Sequence, residues 1–473
     1  MLFTSNAFLV FLPVVFCLYW FVFNRSINHQ NVLILLSSYI FYGWWNWKFV
    51  GLLLLSTLID YFFGYWVHRN SRAKRKLFLV LSILNNLLVL CIFKYYNFFV
   101  HEAQHLFDLA GFHIHPSLLK VALPVGISFY TFHGMSYVID IYRHRVTPVR
   151  SFIDYAVFVG FFPLLVAGPI ERAAHLLPQI QQPRTFKYEQ AIQGLRLMLW
   201  GFFKKMVIAD TLSPIVDDIF ANYTHYPGST LVLGAIYFSF QIYGDFSGYT
   251  DIALGVAKLF GFELLTNFKF PYFSRDPAEF WRRWHISLSS WFRDYVYIPL
   301  GGSRSGKIKA VRNTFLIFLI SGFWHGANWT YIAWGGIHAL GFMPLLLLGA
   351  NRKNSKEIVA YDRRFPRTGE LAAILVTFLF VTVAWVFFRA ETVSKAVHYL
   401  LNMRSGLLQA PSNLSYLFLY VMPFIALDWS FRKNERELIF VRARFARYAI
   451  YTAAVFTILA HSGNNASFIY FQF

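Results

Sequence analysis

The sequence predicts an all-α integral membrane protein, a bundle of many apolar helices of which some are broken or re-entrant. Three observations carry that prediction. Apolar residues make up 57% of the 473 residues and charged residues only 14%, where a soluble domain carries about 45–50% and about 25%. Apolar runs of about 17–25 residues, long enough to cross a bilayer, recur along the whole chain. The net charge of +20, from 43 basic and 23 acidic residues, sits in short clusters between those runs, as it does in cytoplasmic loops. The same numbers exclude other classes. Such hydrophobicity is incompatible with disorder. Two cysteines, Cys17 and Cys91, both inside apolar runs, support neither a disulfide scaffold nor a cysteine zinc site. Nucleic-acid binding would gather the basic residues on one folded face, so no nucleic-acid partner is expected.

The runs lie near 7–23, 31–46, 49–66, 77–99, 119–141, 153–170, 195–210, 229–243, 249–264, 313–350, 371–390, 414–430 and 447–462, which makes about 11–13 membrane segments. The first run follows no basic region and precedes no small-residue cleavage site, so it is read as a retained span rather than a signal. Gly and Pro interrupt the runs at 123–126 and 167–169; such breaks survive in lipid only where protein or water satisfies the freed backbone. The run 313–350 would be about 57 Å long as one helix, so a broken pair is expected there. Residues 100–118 read either as an amphipathic interfacial helix or as a solvated loop. With no linker and no internal repeat, 1–473 is read as one domain ending in an aromatic tail, 463–473. Placing the basic clusters near 68–76, 143–150, 352–367 and 432–447 inside leaves both the N-terminus and that tail outside. The basic, Trp-rich stretch 266–312 is assigned to the cytoplasmic side, partly embedded.

Ionisable side chains at membrane depth are costly and are site candidates by default. Of fifteen histidines, four lie in apolar surroundings: His133, His285, His325 and His338. His325 stands thirteen residues beyond Arg312, roughly 20 Å along a helix. A neutral imidazole there can take a proton from a hydroxyl, and Gly322, Gly326 and Ala327 leave room for a substrate. A core histidine bonded to a carbonyl is the alternative. Trp281, Trp284, His285 and Leu288 would share one helical face, beside Arg282 and Arg293, which either attract a phosphate-bearing ligand or simply snorkel. The stretch 244–251 carries two carboxylates, as a site or as a helix cap. The stretch 161–172 reads as a broken helix that shapes a cavity.

Taken together, WHGANWTYIAWG (324–335), WRRWHISLSSWFRDYVYIPLGG (281–302), DFSGYTDIA (245–253), LPVGISFYTFHGMSYVIDIYR (123–143) and FFPLLVAGPIER (161–172) resemble the membrane-bound O-acyltransferase superfamily. Within it the chain is most similar to the bacterial branch of alginate O-acetyltransferases, with the D-alanyl transfer proteins more distant. The resemblance implies a ring-shaped bundle with a funnelled central tunnel. It implies a catalytic His325 and, forty residues earlier, His285 as its partner. It also implies that the closing stretch 467–473 carries an acyl-accepting tyrosine, Tyr470, that enters the centre from outside; an interfacial aromatic anchor is the competing reading.

The expected function is O-acetylation of a cell-envelope or secreted polysaccharide from the bacterial inner membrane, with cytoplasmic acetyl-CoA as donor. Trp281, Trp284, Trp324 and Asn328 would line the tunnel. No bound cofactor or metal is expected. An extracytoplasmic partner resembling SGNH hydrolases would complete transfer to the polymer. Two rivals remain at this point. A precursor transporter or flippase would show internal repeats, and a non-enzymatic scaffold would have no use for a deep histidine.

Overall fold

In lipid the backbone must satisfy its own hydrogen bonds, and this chain does so as helix. The computed structural model describes residues 1–113, 116, 118–119, 122–166, 168–304, 306–355, 357–436, 443–463 and 466–469, and among them there is no β-strand. Five helices of the described residues are by themselves long and apolar enough to cross a membrane: Lys48–Arg69, Arg72–Leu109, Trp329–Leu347, Thr368–Arg389 and Leu414–Phe431. The chain divides into two compact units, Met1–Ala191 with Val256–Leu265, and Ile192–Gly255 with Thr266–Phe473.

In the first unit, helices Lys48–Arg69, Arg72–Leu90 and Ile127–Tyr142 pack together. The buried Asp60 carboxylate at their junction accepts bonds from Ser82 Oγ and Asn86 Nδ2, both at 2.8 Å. A buried polar group is tolerated where it has such partners. Residues 100–109 belong to helix Tyr96–Leu109, which continues from Arg72–Leu90 through one wide π turn, so this stretch is helical without being a separate element. The run 119–141 becomes helical only at Ile127, after the Pro124–Gly126 break. His133 is occupied structurally: its Nε2 accepts from the Glu171 N–H at 3.0 Å, and Glu171 in turn pairs with His175 at 2.8 Å.

The second unit corrects two expectations. The run 229–243 and the run 249–264 as far as Leu259 belong to one helix, Gly228–Leu259. Residues 244–251 are therefore mid-helix and cap nothing. Their glycines permit close helix crossing: a Cβ on Gly201 would lie 2.6 Å from the Gly248 carbonyl. Their carboxylates are paired across that crossing, Asp251 with Lys204 at 2.6 Å and Asp245 with Lys205 at 2.7 Å. Both lysines sit on a π-helical stretch, Phe203–Ala209, whose wider turn carries the two neighbouring side chains into the interior. The second correction concerns Trp281 to Leu288. Helix Pro277–Arg283 ends there, and a new one, Ile286–Phe292, begins after His285, so no single helical face holds all four residues. The run 313–350 is a broken pair as expected, Lys307–His325 and Trp329–Leu347.

Candidate active site

The break between those two helices places His325 at the end of the first. Asn328 starts the second: its side chain accepts from the Thr330 N–H and donates to the Glu391 carbonyl, each at 3.0 Å. A side-chain oxygen at this position satisfies an orphan helix donor. The small residues here do not hold a void open for a substrate. A Cβ on Gly322 would strike the Tyr331 carbonyl and one on Gly326 the Tyr331 ring, so both glycines serve the tight packing of this helical pair.

His285 reaches the same place from the opposite direction. Its backbone lies in the left-handed region, φ +44°, a conformation costing a non-glycine residue of order 1–3 kcal/mol. The segment carrying it is held by Asn267. Ile286 N–H donates to the Asn267 carbonyl at 2.9 Å. The Asn267 Oδ1 accepts from Ser287 Oγ at 2.9 Å and faces His285 Nδ1 at 3.0 Å. An amide oxygen can only accept, so Nδ1 carries the proton and Nε2 is left as the basic nitrogen. Among the described residues that Nε2 has no hydrogen-bond partner. His285 lies between the membrane spans, and burial pushes its imidazole down to about 3, which keeps it neutral.

The two imidazoles meet with ring centroids 6.4 Å apart. Aromatic rings enclose them. Trp324 lies 4.9 Å from His325 and 6.1 Å from His285, Trp334 lies 5.1 Å and Phe388 5.4 Å from His325. Trp284 is fully buried 5.1 Å from Trp385. Trp281 donates its Nε1–H to His338 Nδ1 at 3.2 Å, which gives the fourth apolar histidine a packing partner. A cavity of about 240 Å³ opens beside Trp281, lined also by Phe318, Ser321, Thr314, Arg293 and Arg352. Ser321 precedes His325 by one helical turn, so the two side chains lie on one face. Arg282 is committed to the Asn351 and Asn354 carbonyls at 2.8 and 3.3 Å.

The structure thus brings together His285, His325 and Trp324, with Trp281 on the cavity wall, Trp284 packed in the core and Asn328 capping a helix. Tyr470 lies outside the described residues. Asn267 escaped the sequence reading because it stands eighteen residues before the histidine it holds, in a stretch with no periodic signal. A polar residue between apolar ones was its only mark. Among the described residues no three His, Cys, Asp or Glu side chains gather as a metal site.

Such a buried pair of imidazoles suits proton removal from an acyl acceptor, and the cavity with basic residues on its wall lies beside Trp281. A family model described as MBOAT, membrane-bound O-acyltransferase family, matches residues 40–356, which include both histidines. A probable alginate O-acetylase AlgI of Pseudomonas syringae pv. tomato is 41% identical over 402 residues, 84% of this chain and 74% of that protein. A peptidoglycan O-acetyltransferase of Helicobacter pylori is 35% identical over 433 residues, 85% and 80% of the two chains. A teichoic acid D-alanyltransferase of Bacillus subtilis is 28% identical over 338 residues, 69% and 81% of the two chains. With the family model spanning more than half of its length, this chain belongs to the membrane-bound O-acyltransferase family and is a multi-pass membrane acyltransferase.

Proposed function

We propose that the protein carries acetyl groups from cytoplasmic acetyl-CoA across the bacterial inner membrane for O-acetylation of an alginate-like envelope or secreted polysaccharide. The observation that carries this reading is the facing pair of buried imidazoles, His285 and His325, 6.4 Å apart, with His285 Nε2 free to accept a proton. The names of the alginate and peptidoglycan relatives support the acyl group and the polymer class. The cavity beside Trp281 supports a donor path: its wall is aromatic and apolar near Phe318, and Arg293 and Arg352 suit the phosphates of a coenzyme A thioester.

In this reading His325 takes the proton of the acceptor hydroxyl, and His285 orients that hydroxyl, its bare Nε2 accepting a hydrogen bond. The acceptor is the phenol of Tyr470. An unperturbed phenol titrates near 10 and is a poor nucleophile until a base removes its proton. Its oxygen bonds to the acetyl carbonyl carbon, the carbon–sulfur bond breaks, and the thiolate takes the proton to leave as free coenzyme A. The tyrosyl ester then presents the acetyl group to an extracytoplasmic partner of SGNH-hydrolase type, which passes it to a polymer hydroxyl and regenerates the phenol. Incubating the purified chain with acetyl-labelled acetyl-CoA and mapping the adduct tests this. Label on Tyr470 is expected. No transfer of label to the chain or, with the partner present, to the polymer would overturn it.

A further inference from the structure

Lys205 and Asp245 form a buried ion pair that does more than balance charge. The Lys205 ammonium is held by Asp210 at 2.6 Å and by Asp245 at 2.7 Å. Buried polar and ionic groups are costly unless they are hydrogen-bonded. Here the remaining capacity of both groups is turned on the C-terminal segment. Lys205 Nζ donates to the Ala466 carbonyl at 3.1 Å. Asp245 Oδ2 accepts from the Ile469 N–H at 2.6 Å, a charge-assisted bond. Between these two anchors the Phe468 ring is fully buried, with its centroid 4.3 Å from Tyr249 and 6.1 Å from Phe246. The same Phe246 ring packs edge-on against His285 at 4.7 Å.

We propose that Lys205 and Asp245 are positioning residues, a clamp that docks 466–469 in one register and thereby sets where the next residue, Tyr470, stands relative to the histidine pair. The clamp grips main-chain atoms three residues apart, a carbonyl and an N–H. A slip of one residue would break both bonds and pull Phe468 from its slot. A tail serving only as an interfacial anchor would need aromatic side chains at the headgroups and no ionic grip on its backbone. The proposal deepens the reading of Tyr470 as acceptor and rests on it for its catalytic meaning, while docking itself does not.

The test is made on the full chain with Cys17 and Cys91 replaced by Ser and a nitroxide label on Ser467→Cys, an exposed position. The spectrum of the parent should be immobilised. Asp245→Ala removes the acceptor of the Ile469 N–H and should raise the ratio of mobile to docked tail about tenfold, the equivalent of one lost bond to a charged group. Phe468→Ala empties the slot between Tyr249 and Phe246 from the tail side and should also loosen the tail while leaving both clamp residues in place. Asp245→Asn keeps an acceptor oxygen, leaves Lys205 balanced by Asp210, and should restore immobilisation. Acetyl transfer at saturating donor should fall about tenfold with each mobile tail, with the KM for acetyl-CoA unchanged. A spectrum in Asp245→Ala as immobile as the parent's overturns the clamp. So does parent-level transfer from a chain whose tail is mobile. Tyr470→Phe separately decides the acceptor reading: full polymer acetylation by that variant removes Tyr470 from the chemistry, whereas the spectra still decide docking.

Discussion

Replacing His325 tests the chemistry most directly, provided that packing and proton transfer are separated. The imidazole is 3% exposed and is enclosed by Trp324, Trp334 and Phe388 at 4.9, 5.1 and 5.4 Å. His325→Ala therefore opens a hole among rings as well as removing a base. Truncating a buried aromatic side chain costs about 3–5 kcal/mol of stability. Losing a general base costs about 10²–10⁴-fold in rate, equivalent to about 3–5 kcal/mol of barrier. The two effects are of similar size, so the alanine variant alone is ambiguous. His325→Phe resolves it: the ring volume and edge contacts remain, and no basic nitrogen does. Acetyl transfer is followed with labelled acetyl-CoA, and integrity by thermal unfolding in detergent. Both variants are expected to lose at least about a hundredfold in transfer, whereas only the alanine variant loses thermal stability. A phenylalanine variant within about threefold of the parent rate would refute His325 as the base.

Further outcomes are expected elsewhere in the site. Asn267→Ala should slow transfer by freeing the His285 tautomer, and Asn267→Asp should move the acid limb of the pH–rate profile upward, because a carboxylate at Nδ1 favours the imidazolium; an unchanged profile in Asn267→Asp would remove Asn267 from that role. Arg293→Ala combined with Arg352→Ala should raise the KM for acetyl-CoA with little change in kcat, as removal of uniform binding does; an unaltered KM would place the donor elsewhere. In a chain with its native cysteines replaced, a cysteine at Lys433 should react with impermeant maleimide only from the cytosol and one at Ser462 only from outside. The opposite pattern would leave the tail unable to enter from the outer face.

Much of this was legible in the chain itself. Long apolar runs disclose spans because the bilayer permits few alternatives, and the run 313–350 disclosed a broken pair because one helix of that length would overshoot the membrane; that Asn328 caps the second helix was not legible. Residues 244–251 misled for an equally physical reason. Glycine, serine and aspartate signal helix ends when read alone, but here their polarity is met by lysines on another helix and their small size by a close crossing. His285 and His325 could be picked out one by one, whereas Asn267, which holds His285 from eighteen residues away, and the contact of Ile469 with Asp245 could not, because no local pattern encodes such pairings. The glycines beside His325 were read as room for a substrate, and the Tyr331 ring occupies that room instead.

The buried lysines on the π-helical stretch also constrain how the protein is made. Lys204 and Lys205 leave the ribosome about forty residues before Asp245 and Asp251. On insertion scales a lysine at the centre of a helix costs about 2.5–3.5 kcal/mol, so the pair would hold its segment out of the lipid while it stands alone. Asp210 reaches Lys205 almost at once, whereas Asp251, the partner of Lys204, arrives only on the helix Gly228–Leu259. Membrane entry of the two helices is therefore expected to be coupled, the first remaining accessible to water until the second can cross with it. Stalling synthesis between residues 210 and 240 should leave the earlier segment accessible to water, and release of the stall should bury both together.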